Sequence, residues 1–181
     1  ATPSRALANL LAQVDESTAW KSKDPASAAA SNPSTPPSVL ETLVEGNRYF
    51  YVREVAGNPS TPIDTLRALY RRDDPPLEYL GANPSTPAEI IDEIASDSEP
   101  DVRSHVAINP AAPISTLRRL AQDPDPSVRE WICEHESTPN YVLDQLASDS
   151  DKTVALAAVR SLRVPEGTLT RLALAEGFPG M

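Results

Sequence analysis

One short motif returns along this chain at an almost fixed interval. Asn-Pro-Ser-Thr-Pro stands at Asn32, Asn58 and Asn83, then returns as Asn-Pro-Ala-Ala-Pro at Asn109 and His-Glu-Ser-Thr-Pro at His135. With Ser161 as a further start, the spacings are 26, 25, 26, 26 and 26 residues. An earlier, degenerate unit is anchored by Thr2-Pro3 and carries about seven extra residues around Trp20 to Lys23. A unit this short has no core of its own and must bury its apolar face against its neighbours. The 181 residues therefore read as one repeat domain, 1–181, with units starting near 1, 32, 58, 83, 109, 135 and 161, the last incomplete.

Each unit reads as two short helices. Apolar pairs three residues apart mark the first: Leu40/Leu43, Leu66/Leu69, Ile91/Ile94, Leu117/Leu120 and Leu143/Leu146. That spacing is one face of a helix, not the alternation of a strand. Thr35, Thr61, Thr86 and Thr138 are expected to cap it, with the following proline as the first helical residue. Asp64 and Glu89, three residues after their threonines, would complete a capping box. The second helix follows an acidic, proline-bearing turn such as Asp125-Pro126 and is led by Val52, Leu77, Val102, Val128 or Val154. Only six to eight residues fit before the next Asn-Pro excludes helical geometry, so this helix is expected to be short α or partly 3₁₀. The fold class is all-α, a helical solenoid.

The same frame explains the proline content. The chain has 19 prolines and only 6 glycines, far from the every-third glycine of collagen. Seventeen of the prolines occupy recurring slots, so they punctuate helices rather than signal disorder.

Charge narrows the partners. Sixteen basic against 26 acidic residues leave a net charge of −10. This opposes binding to nucleic acid and to anionic membranes, and points to a basic or polar protein or peptide. No apolar run is long enough to span a bilayer and no signal peptide opens the chain, so the default compartment is cytoplasmic. The start at Ala1 points to processing or trimming, and the last unit runs to Met181 without a second helix, which points to truncation or continuation. The single cysteine, Cys133, excludes an internal disulfide or a multi-cysteine metal site, and its apolar surroundings read as a buried small side chain. No nucleophile elbow, phosphate-binding glycine loop or metal-spaced cluster occurs. The chain is expected to be non-enzymatic, with no cofactor and no metal.

Asn-Pro-Ser-Thr-Pro-x-x-x-Leu-x-x-Leu, followed by an acidic turn and Val-Arg, resembles the bacterial leucine-rich repeat variant family. The unit with Asn83 to Pro87 and Asp101-Val102-Arg103 is its nearest version. Asp123 to Arg129 is also similar to HEAT-type helical repeats. The resemblance implies a right-handed superhelix of alternating α and 3₁₀ helices, and protein binding rather than a reaction. The cysteine-rich iron–sulfur segment that some members carry has no counterpart in this sequence, so no redox function follows.

The candidate partner-binding residues are Tyr49, Tyr51, Arg53, Tyr79, Arg103, His105, Arg129 and Trp131. Tyr49, Tyr51 and Tyr79 concentrate the few aromatic side chains, and His105 and Trp131 share one slot of adjacent units. For that slot, packing at the core or rim is the plainer reading. Arg53, Arg103 and Arg129 follow the leading valine; in HEAT-like repeats such arginines bridge acidic turns, with Asp101 and Asp125 as the acids at hand. The recurring asparagines read either as a polar row facing a ligand or, preferably, as partners for backbone groups at the turn. The leading function is an interaction module that presents an extended surface. The alternative is a structural or regulatory soluble part of a larger, membrane-anchored protein.

Overall fold

In the computed structural model, which describes residues 25–45 and 51–161, helices alternate without a strand among the described residues. They are α1 (Pro25–Ser31), α2 (Pro37–Val44), α3 (Val52–Gly57), α4 (Ile63–Tyr70), α5 (Leu77–Ala82), α6 (Ala88–Ile94), α7 (Pro100–Ala107), α8 (Ile114–Leu120), α9 (Pro126–Glu134), α10 (Asn140–Leu146) and α11 (Lys152–Arg160). Even-numbered helices are the first helices of the units and odd-numbered ones the second. Two compact units divide the chain, Ala1–Ile90 and Ile91–Met181.

Within each unit one packing rule repeats. In the first, α1 packs on α3 and α3 on α5, while α2 and α4 each touch the odd-numbered helix on either side. In the second, α7 packs on α9 and α9 on α11, and α8 and α10 bridge them in the same way. The expected apolar pairs fill these contacts: Leu40, Leu43, Leu66 and Leu69 are buried in the first unit, and Ile91, Ile94, Leu117, Leu120, Leu143 and Leu146 in the second. Each such side chain contributes about 1.5–3 kcal/mol when fully buried. In the second helices the fourth residue after the lead is always buried (Ala56, Gly81, Val106, Ile132, Ala158). The third is buried at Val55 and Leu80, half-buried at His105 and exposed at Trp131.

The helix starts differ from expectation in three ways. Pro36, Pro62, Pro113 and Pro139 are N-caps rather than first helical residues, with φ between −65° and −58° and ψ between 139° and 145°. Their carbonyls accept the first helical bonds, as Leu66 N–H to Pro62 at 2.9 Å and Leu117 N–H to Pro113 at 3.0 Å. The threonines before them therefore do not cap the helix ahead. Each hydroxyl instead donates backwards to a carbonyl six residues earlier, at the end of the preceding helix: Thr35 to Ala29 (2.6 Å), Thr61 to Val55 (2.6 Å), Thr86 to Leu80 (2.7 Å) and Thr138 to Ile132 (2.8 Å). The capping box is not formed at Asp64 or Glu89 either, because both carboxylates turn to Arg67, at 3.8 and 2.7 Å. Side-chain capping occurs at α9 and α11 alone of the second helices with described caps: Asp125 accepts from Ser127 N–H at 2.8 Å, and Asp151 from Thr153 N–H at 2.8 Å. Those helices are α-helical throughout, with no 3₁₀ segment among the described residues.

Candidate interaction surface

The recurring polar residues hold the turns together. Asn58 and Asn83 leave the helix in extended geometry (φ −78°, ψ 122° and φ −77°, ψ 120°), as a residue before proline must. Each side-chain oxygen accepts from the serine amide two residues on, at 2.9 and 2.8 Å. Each side-chain amide reaches back one repeat: Asn58 donates to Ala30 (2.7 Å) and Asn32 (2.9 Å), and Asn83 to Ala56 (2.6 Å) and Asn58 (2.8 Å). Ser85 adds a bond to Pro59 at 2.6 Å. These asparagines are buried, with their side chains bonded to backbone groups. His135 performs the same task in the second unit. Its Nδ1 accepts from Ser137 N–H at 3.1 Å, which assigns the proton to Nε2, and Nε2 donates to the Asn109 carbonyl at 2.8 Å.

Arg103 and Arg129 are drawn into the same kind of work. Arg103 grips Asp123 with Nε at 2.7 Å and Nη2 at 2.8 Å, while Nη1 donates to the carbonyls of Asp97 (2.8 Å) and Ser98 (3.0 Å). Arg129 repeats this with Asp149, at 2.8 Å from both nitrogens, and with the Asp123 carbonyl at 2.7 Å. The acids are thus Asp123 and Asp149, twenty residues ahead at the end of the next first helix, and not Asp101 or Asp125 beside the prolines. Two parallel bonds to a carboxylate are the strong, specific form of the arginine pair. The guanidinium of Arg129 holds the Asp149 carboxyl below the usual carboxylate range.

Of the remaining candidates, Tyr49 lies outside the described residues. Tyr51 is 1% exposed, so its ring is buried in the first unit. Arg53 is exposed. Tyr79 is partly exposed and covers the backbone at Gly57, where a Cβ would sit 3.4 Å from the ring. His105 is half-buried, with Nδ1 2.7 Å from the Asp101 carbonyl of its own helix. Cys133 is buried; desolvation first, then the carboxylates of Asp149, Glu130 and Glu134, push its thiol up to about 12. No cluster of His, Cys, Asp and Glu suited to a metal ion occurs among the described residues.

Trp131 has the surroundings of a contact site. It lines an open groove of about 360 Å³ together with Ala107, Ile108, Pro110, Glu134, His135, Glu136 and Ser137. Ile108 and Trp131 stand 42% and 43% exposed, large values for apolar side chains that line one groove. Sequence reasoning found Trp131 but not Ile108, Glu134 or Glu136. The signal was the slot before the opening Asn, which reads Gly57, Ala82, Ile108, Glu134 and Arg160 and follows no apolar rule.

Residues 100–125, from the start of α7 to the N-cap of α9, match the family model described as leucine rich repeat variant. Over these residues the chain is similar to a leucine rich repeat variant unit. This segment contains the Arg103–Asp123 pair and the Asn109 turn, in which the Asn109 side-chain oxygen accepts from Ala111 N–H. No curated protein and no solved structure matches the chain.

Proposed function

We propose that this chain is a non-enzymatic interaction module, an α-solenoid of about seven units over residues 1–181, presenting its surface to a protein or peptide partner. One observation carries the reading: a division of labour between recurring and non-recurring positions. Recurring Asn, Thr, Arg and Asp side chains are spent on backbone and on one another. Of the large exposed apolar residues, Tyr79, Ile108, Trp131, Tyr141 and Leu156 occupy slots where the units differ, while Ile63 and Ile114 share the slot after the N-cap proline. A scaffold that repeats and a surface that varies is how helical-repeat proteins separate stability from recognition. The family match to a helical repeat supports the same reading. The net charge of −10 favours a basic or polar partner over nucleic acid. No helix among the described residues is long and apolar enough to cross a membrane.

The test is capture of a partner from the source lysate with the intact chain as bait, crosslinked before washing. A specific protein retained at physiological salt is the expected result. Recovery of none across salt conditions contradicts the module.

A further inference from the structure

Two arginines occupy one slot of the repeat and meet different neighbours. Arg67 stands nine residues after Asn58 and is answered by two carboxylates. Asp64, three residues before it, lies at 3.8 Å, and Glu89, six residues after Asn83, at 2.7 Å. Arg118 stands nine residues after Asn109, and the two matching positions hold Ser115 and Tyr141 instead. Its guanidinium lies over the Tyr141 ring, with Cζ 5.9 Å from the centroid. That contact uses none of its N–H donors. The guanidinium of Arg118 makes no hydrogen bond or ion pair among the described residues. Both side chains are exposed, Tyr141 by 52%. Arg119, Gln122 and Gln145 share with them a cleft of about 440 Å³ that no Asp or Glu lines. In a chain with 26 acidic residues against 16 basic, this inverts the charge balance locally. Arg119 is tied to Asp92, whose carbonyl and carboxylate lie 2.8 and 3.5 Å from its Nη2, so Arg118 is the cation left for a ligand.

We infer that this cleft takes a single Asp or Glu side chain from a polar segment of a protein partner, its carboxylate answering Arg118 as Glu89 answers Arg67. This rests on the interaction-module reading and specifies one contact of it. A guanidinium edge with free donors receives a carboxylate through two parallel bonds, the strong and specific form of the pair. The side-chain amides of Gln122 and Gln145 are further donors in the same cleft. A net charge of −10 opposes a run of acids, yet at physiological salt its reach ends at about 8 Å. One carboxylate in an otherwise polar segment is therefore governed by the groups it touches. A Lys or Arg in its place would meet Arg118 as a like charge.

Acetylated and amidated Gly-Ser peptides with Glu, Gln or Lys at the centre are titrated into the ¹⁵N-labelled full chain. The readouts are the Arg118 Nε–H signal, assigned with Arg118→Gln, and the Tyr141 backbone amide. The Glu peptide is expected to shift both saturably and to bind about three- to fivefold more tightly than the Gln peptide, as one exposed ion pair allows. The Lys peptide should leave them unmoved. Tyr141→Glu, which places a carboxylate in the slot that Glu89 fills, should remove the preference for Glu; Tyr141→Phe, which keeps the ring, should retain it. Equal binding of Glu and Gln peptides, or a preference that survives Tyr141→Glu at an unchanged melting temperature, overturns the assignment. Sodium acetate matching the Glu peptide would show an adventitious ion only, and inorganic phosphate outcompeting it a phosphate site; either overturns it. Shifts that grow with protein concentration alone would identify a second copy and also overturn it. A captured partner whose binding survives both Tyr141→Glu and Arg118→Gln leaves the module standing and removes the cleft. Glu-selective binding with no partner recovered supports the carboxylate site and removes the module.

Discussion

Asparagine suits the opening slot because its side chain carries an acceptor and two donors within one short reach. The oxygen answers the amide two residues ahead, and the nitrogen answers two carbonyls one repeat behind. Removing the Asn83 side chain takes a donor from the buried Ala56 carbonyl and the acceptor from Ser85 N–H, while the Asn58 carbonyl keeps Thr61 N–H, at about 1–3 kcal/mol. Asn83→Ala is expected to lose that much in urea unfolding. The threonine slot offers the converse test. Ala112 stands where its counterparts are Thr61 and Thr138, is buried, and follows the same turn, with Ala112 N–H 2.9 Å from the Asn109 carbonyl. Ala112→Thr places a hydroxyl to donate to Val106, six residues back. A gain of about 0.5–1.5 kcal/mol is expected from one net hydrogen bond, read as a higher urea midpoint.

At the scale of the elements, two interactions join a helix pair to the next, one apolar and one ionic. Leu117 is wholly buried on α8, and Leu117→Ala should cost about 2–5 kcal/mol as a lost side chain plus the cavity it leaves. A loss below about 1 kcal/mol in a denaturant melt would contradict the packing of first helices between second helices. The ionic interaction is sensitive to acid. Because Asp149 titrates below its ordinary value in the folded chain, it stabilises the fold above the unfolded pKa, near 3.9. That contribution disappears as pH falls through the lower folded value. Thermal melts from pH 5 downwards should show the wild-type chain losing stability more steeply than Arg129→Met combined with Asp149→Leu. Parallel curves would remove the pair from the account.

Across the whole molecule, the period made the helix order legible, because Leu and Val spacing and Asn-Pro breaks depend only on local geometry. Among the described residues, the apolar pairs expected to be buried are buried. What the sequence could not reveal was the direction of hydrogen bonds. Thr-Pro before an apolar run reads as a cap for the helix ahead, yet the extended proline places the hydroxyl over the helix behind. The acid for each arginine was misplaced for a related reason: proximity in sequence pointed to Asp101 and Asp125, while the superposition of units brought Asp123 and Asp149. The site was half legible. Trp131 stood out by type, whereas Tyr51 was buried by its place at the start of α3, and Ile108 mattered only through its exposure at a helix end. Recurring residues thus build the chain and variable ones face outward. Partner capture and melting temperature of Trp131→Ala, each compared with wild type, test that claim most directly. The account predicts an unchanged melt and lost capture. Capture retained with a lowered melting temperature would make Trp131 part of the scaffold and contradict it.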